Sequence, residues 1–166
     1  MESRRDDVIR RDARLVGLIS DTHGLLRPEV FAAFEGVDLI LHAGDVGPDS
    51  ILDELSAVAP VHAVRGNTDP IGNPRLPDSV DLEINGTSVH VSHGHEIGAV
   101  PERLLAAYAA EVIVYGHTHR ELITRADRRV AVNPGAAGAR RFELKPCIGL
   151  MRIEGGRVEV DLVRLG

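Results

Sequence analysis

Five short apolar runs in this chain each stop at a polar cluster rich in Asp, Asn, His and Gly. Residues 15–20 run into Asp21-Thr22-His23, and residues 37–42 into His42-Ala43-Gly44-Asp45. Residues 60–65 end at Gly66-Asn67-Thr68-Asp69, and residues 87–92 at His93-Gly94-His95. Residues 111–115 meet Gly116-His117-Thr118-His119. Apolar runs this short, bounded by turn residues, read as buried strands. In open α/β sheets the carboxyl ends of strands lie side by side, and ligands collect there. The repeated pattern therefore constrains the chain to a fold in which five strand ends converge.

The segments between these runs fill in the rest. Pro28 opens a predicted helix over 28–35, and Pro48 a second with Ile51, Leu52 and Leu55 at helical spacing. A third spans 100–110, with Leu104, Leu105 and Tyr108 on one side. Residues 79–85 and 87–92 alternate around Asn85-Gly86, a hairpin signal. Beyond residue 120 the chain reads as strands over 121–125, 129–133, 147–153 and 157–163, the last two joined at Gly155-Gly156. Aromatic residues make up only 3% of the chain, so aliphatic side chains must fill the core. The expectation is one α/β domain over residues 15–166, with two packed sheets of mixed parallel and antiparallel strands and helices outside. Residues 1–14, with five Arg and four Asp or Glu, read as a charged N-terminal extension.

Composition excludes several classes of function. No apolar stretch approaches the ~20 residues of a membrane span, and the charged start does not resemble a signal peptide. Cys147 is the only cysteine, which rules out intrachain disulfides and Cys-based zinc sites; its apolar surroundings place it in the core. The net charge of −6 argues against a partner held by a basic surface, so nucleic acid is not the expected ligand. A cytoplasmic location is expected.

The donors at the strand ends suit divalent metals. Imidazole favours Zn, Fe and Ni, while carboxylate and amide oxygens favour Mn and Mg. Asp-x-His and His-x-His each place two donors on one side of an extended segment. The seven donors Asp21, His23, Asp45, Asn67, His93, His117 and His119 exceed what one tetrahedral ion takes, but fit two ions sharing a carboxylate. Two metals ~3.5–4 Å apart can clamp a phosphoryl group and activate a water between them.

In this order, Asp21-x-His23, Gly44-Asp45, Gly66-Asn67-x-Asp69, His93-Gly94-His95, Gly116-His117-x-His119 and Asn133-Pro134-Gly135 resemble the calcineurin-like metallophosphoesterase superfamily, in particular its small single-domain bacterial and archaeal phosphodiesterases. The resemblance implies a four-layer sandwich of two mixed β-sheets flanked by helices. It implies that Asp21, His23 and His119 hold one metal, that Asn67, His93 and His117 hold the other, and that Asp45 bridges them. Mn is the expected ion, with Fe, Zn and Ni as alternatives. The implied reaction is attack of a bridging hydroxide on the phosphorus of a small phosphate ester. Homo-oligomers are frequent among such relatives.

Two positions depart from the family pattern. Thr68 follows Asn67 where many relatives carry a His that protonates the leaving group, and Ala136 follows Asn-Pro-Gly in place of Ser. His95 is the candidate replacement acid, with Asp69 orienting it. Asn67, His95 and Arg140 are the candidate contacts to substrate, and Arg141 stands beside the last. His42 reads as a residue that supports the metal loop, and His62 and His90, inside strands, as structural. A non-catalytic scaffold, like the retromer subunit of the same superfamily, is the alternative reading. A nuclease is disfavoured by an acidic chain of 166 residues with no room for added DNA-binding regions.

Overall fold

Along the strand Leu15–Ile19 (β1), Val16 and Leu18 enter one apolar cluster while Ile19 enters another, so both faces are buried. The same alternation governs Leu39–His42 (β2), where Leu39 and Leu41 point one way and Ile40 the other. Strands covered on both faces read as continuous apolar runs, which is why these segments stand out in the sequence. The computed structural model describes residues 15–140 and 143–166; the charged extension over 1–14 and Arg141 lie outside the described residues.

After β1 come Pro28–Ala33 (α1), β2, Ser50–Ser56 (α2) and Val61–Ala63 (β3). The hairpin follows as Ser79–Ile84 (β4) and Thr87–Ser92 (β5), then a 3-10 turn at His95–Ile97 and the helix Pro101–Ala107 (α3). The remainder is Val112–Val114 (β6), Leu122–Ala126 (β7), Arg129–Asn133 (β8), Cys147–Glu154 (β9) and Arg157–Arg164 (β10). One five-stranded sheet runs β10-β9-β1-β2-β3 and the other β4-β5-β6-β8-β7. Pairs β1–β2, β2–β3, β5–β6 and β6–β8 are parallel, and pairs β9–β10, β1–β9, β4–β5 and β7–β8 are antiparallel.

The two sheets pack face to face through an aliphatic layer that includes Val16, Leu41, Val91, Val114, Val132 and Met151. Outside the first sheet, Val30, Ile51 and Leu55 of α1 and α2 cover Ile19 and Ile40. Outside the second, Leu104 of α3 covers Ile113, Tyr115 and Ala131. The result is a sandwich of two mixed sheets with helices on its outer faces, as the resemblance implies. Burying one Leu or Ile in such a layer stabilises by about 1.5–3 kcal/mol. Gly17 of β1 leaves room for the Phe34 ring, since a Cβ there would lie 2.9 Å from it.

Several elements are shorter than the sequence pattern suggests. The helix predicted over 28–35 ends at Ala33, and the strand predicted over 60–65 spans only Val61–Ala63. The helix predicted over 100–110 ends at Ala107, with Tyr108 already extended at φ −123°. There the Arg129 guanidinium donates to the carbonyls of Leu105, Tyr108 and Ala110, satisfying acceptors that another helical turn would have used. The hairpin turn takes positive φ at both Asn85 (49°) and Gly86 (83°), the geometry that Asn-Gly favours. Cys147 is fully buried, and burial pushes its thiol up to about 12.

Candidate metal centre

Five of the seven candidate donors sit in the left-handed backbone region: Asp21 (φ 53°), His23 (47°), Asp45 (56°), His117 (74°) and His119 (64°). The paired donors therefore do not project from extended segments, as their i, i+2 spacing suggests. The chain leaves each strand and turns at the donor itself. Such conformations cost on the order of 1 kcal/mol or more each and persist where the surrounding structure holds them.

The turns bring the side chains together. His119 Nε2 lies 3.3 Å from Asp21 Oδ1 and 3.3 Å from His23 Nε2. Asp45 Oδ2 lies 3.6 Å from His23 Nε2 and 3.3 Å from His93 Nε2. Asn67 Oδ1 is 3.0 Å from His93 Nε2 and 3.1 Å from His117 Nδ1. All seven thus form one contiguous constellation, with the Asp45 carboxylate between its two halves.

The chemistry of this donor set fits bound cations. His93 Nδ1 is 2.8 Å from the Ala43 carbonyl, an acceptor only, so it carries the proton and donates it there. Its Nε2 then faces Asp45 Oδ2 and, at 3.9 Å, Asp21 Oδ1. A lone pair among carboxylate oxygens is stable only with positive charge between them. Asp21 Oδ1 is buried without a hydrogen-bond partner. Its sister Oδ2 accepts from the Ser20 hydroxyl at 2.6 Å and the His117 amide at 3.1 Å. An orphaned carboxylate oxygen aimed at three imidazoles is what a metal site leaves when described by its protein atoms alone.

Electrostatics agree. Burial would raise the Asp21 carboxyl, but His119 and His23 outweigh it and hold it well below the usual carboxylate range. Burial likewise works against ionisation of Asp45, yet His93 and the Thr68 amide bring it down to about 2. Burial pushes His93 down, and Asp45 and Asp21 override it and raise its pKa.

Residues behind the donors fix the loops. Asp69, placed by sequence reasoning behind His95, does something else: both its oxygens accept backbone amides, from Val46, Gly47 and Gly66. It staples the loop bearing Asp45 to the loop bearing Asn67. His42 accepts from the Gly44 amide at Nδ1, and its Nε2 meets the Thr22 hydroxyl, which donates to the Val46 carbonyl. Burial brings His42 down to about 4, in keeping with a neutral ring that supports the loop. Asn133 Nδ2 donates to Gly116 O and Thr118 Oγ1, and its Oδ1 accepts from Gly135, so it clasps the loop of His117 and His119. A Cβ at Gly66 would collide with Asp45, and one at Gly116 with Ser20 and Asp21.

His95 stands beside the centre, its ring 5.4 Å from that of His93 and 6.2 Å from that of His117. Burial, reinforced by the neighbouring His93, lowers its pKa. His90 is buried in β5, 2.8 Å from Asp81 and stacked on Tyr108, so the structure keeps it away from the donor set. Arg140 is exposed just past Gly138, whose amide meets the Asp21 carbonyl. Sequence reasoning missed Ser20, Thr22 and the clasp made by Asn133; the small polar residues flanking Asp21 at the end of β1 were the available signal.

Comparison with known proteins gives consistent relatives. Residues 15–156 match the calcineurin-like phosphoesterase superfamily domain. A probable metallophosphoesterase of Methanothermobacter thermautotrophicus is 37% identical over 161 residues, covering 92% of this chain and 93% of the relative. A solved archaeal phosphodiesterase superposes with a TM-score of 0.73 at 24% identity, covering 90% of this chain and 99% of that one. Vps29 of Entamoeba histolytica complexed with Zn2+ gives 0.74 at 22% identity, covering 90% and 98%.

Proposed function

The chain belongs to the calcineurin-like phosphoesterase superfamily, and from that premise we propose that it hydrolyses small phosphate esters, phosphodiesters foremost, at a centre of two divalent cations. Asp21, His23 and His119 would hold one cation, and Asn67, His93 and His117 the other. Asp45 would serve both, with Mn the expected ion and Fe, Zn or Ni able to take its place. The observation that carries this reading is the position of Asp45 Oδ2, within 3.6 Å of His23 and 3.3 Å of His93.

Bound cations supply Lewis acidity toward the phosphoryl oxygens and a water acidic enough to attack phosphorus near neutral pH. The protein does the rest. The two aspartates compensate only part of the cationic charge, leaving the centre attractive to a phosphate anion. Asn67, whose amide oxygen sits between His93 and His117, would also contact a phosphoryl oxygen. His95 would hand a proton to the departing oxygen, and Arg140 would meet the phosphate from the loop after Gly138. Asp69 acts through the backbone it staples and does not touch the substrate.

All seven donors stand unaltered and converge on one point, which supports hydrolysis over the scaffold. Elemental analysis of the purified protein, paired with assays of nitrophenyl phosphate mono- and diesters under Mn2+, Zn2+, Ni2+ and Fe2+, tests it. Two ions per chain and metal-dependent turnover are expected. No turnover with any of these ions would favour the scaffold.

A further inference from the structure

Among the described residues, five buried side-chain polar atoms have no hydrogen-bond partner. Two of them, Asp21 Oδ1 and His119 Nδ1, belong to the metal centre. The other three, His90 Nε2, Ser92 Oγ and His95 Nδ1, belong to residues that line a groove outside the sheet that holds β4 and β5. An unsatisfied buried polar group costs about 1–3 kcal/mol, and three of them lie in the walls of one groove.

The groove consists of two cavities, about 130 Å³ and about 460 Å³, which share Ser79 and Tyr108 as walls. The smaller begins at His93 and His95, at the edge of the metal centre. The larger continues over His90 toward Ala110. His90 is only 2% exposed, and its Nδ1 lies 2.8 Å from Asp81 Oδ1. Ser92 is 6% exposed. Asp78, Asp81 and Glu96 line the cavities, Asp78 ion-paired at 3.0 Å to Arg65, and no Lys or Arg lines them among the described residues. Such a lining repels a second anion and complements a hydrogen-bond donor with positive charge.

We propose that this groove takes the amine-bearing alcohol of a phosphodiester whose phosphorus lies at the metal centre, so that the enzyme prefers amino-alcohol diesters. The proposal rests on the hydrolytic reading above. In the reaction, water forms one P–O bond, the bond to the leaving alcohol breaks, and the amino-alcohol monoester remains.

Three 4-nitrophenyl phosphodiesters that differ only in the second alcohol (ethyl, 2-aminoethyl and 2-carboxyethyl) test it. The 2-aminoethyl ester should exceed the ethyl ester in kcat/KM tenfold or more, with the 2-carboxyethyl ester slowest. Ser92→Val and Asp81→Asn should each shrink the aminoethyl-to-ethyl ratio at least fivefold. Equal rates for all three esters, or an unchanged ratio in both variants, would overturn the groove. If no ester turns over with any metal, the hydrolytic reading fails. NMR titration of the metal-free protein with methyl 2-aminoethyl phosphate then decides the groove: shifts at Ser92 and Tyr108 support it, and shifts confined elsewhere reject it. Repeating the parent and Ser92→Val comparison with glycerophosphoethanolamine and with phosphatidylethanolamine vesicles tells a soluble diester from a membrane headgroup, since only the true source shows the variant's loss.

Discussion

His42 Nε2 lies 3.0 Å from the Thr22 hydroxyl, and that hydroxyl donates its own proton to the Val46 carbonyl. The hydroxyl therefore accepts from His42, whose other nitrogen already accepts from the Gly44 amide. One neutral ring thus ties the backbone beside Asp21 and His23 to the backbone on either side of Asp45. A protonated His42 would break the contact to Gly44.

The first prediction concerns that ring. Burial lowers the His42 pKa from 6.5 to about 4, so between those values the unfolded chain holds a proton that the folded chain does not. Stability therefore falls as pH drops from about 6.5 toward 4 and then levels off, by about 3 kcal/mol for this group at most. NMR titration of the histidine ring protons should show His42 flat down to pH 5. An inflection above pH 6 would contradict the neutral clamp.

Much of this architecture is legible in the chain because strands buried on both faces leave unbroken apolar runs, such as those ending at Ser20 and His42. The candidate donors are legible because each stands where such a run stops. What could not be read is conformation at single residues. Nothing in Asp21-Thr22-His23 announces that Asp21 and His23 adopt positive φ, since that depends on Gly44 and Asp45 receiving their hydrogen bonds from the other loop. The role of Asp69 was misjudged for the same reason: its partners are backbone amides of Val46 and Gly47, distant in sequence and invisible to side-chain patterns. Likewise the end of α3 is set by Arg129, 22 residues beyond Ala107.

Asp45 touches both halves of the donor set, whereas Asn67 meets only His93 and His117. Asp45→Asn should therefore lower the content of both metals, and Asn67→Ala chiefly that of one. Elemental analysis of the two purified variants against the parent reads this directly. Parental metal content in Asp45→Asn would remove the carboxylate from its bridging position.

Space at Gly66 is the next test. A side chain there runs into the Asp45 carboxylate and backbone, so Gly66→Ala should destabilise by about 1–3 kcal/mol, as overpacking generally does. For a chain of this size each kcal/mol shifts Tm by roughly 2–4 °C. Metal affinity should fall as well. Thermal unfolding indistinguishable from the parent, with full metal content, would mean that the loop adapts and the close approach is dispensable.

Removing metal should weaken the fold. Without cations, Asp21 Oδ1 has no hydrogen-bond partner, and His93 Nε2 faces the oxygens of Asp45 and Asp21. A ligand that binds only the folded state stabilises it by about 2.7 kcal/mol at a hundredfold excess over its Kd. Chelated protein should thus melt several degrees lower and recover on adding Mn2+. In Asp21→Asn the Mn2+-induced rise should shrink or vanish. A Tm insensitive to chelation would separate the constellation from metal binding.

The last test separates chemistry from architecture at His95. Its ring neighbours those of His93 and His117 without lying in the donor set, so His95→Ala should keep the metal content of the parent. If the ring protonates the departing oxygen, its loss hurts alkyl esters, whose alkoxides leave poorly, and spares 4-nitrophenyl esters, whose phenolate leaves without help. General acids contribute about 10²–10⁴-fold where the leaving group needs them. The plot of log kcat against leaving-group pKa should accordingly be steeper in the variant than in the parent. Parallel lines would confine His95 to binding, and lost metal would make it part of the scaffold that holds the donors.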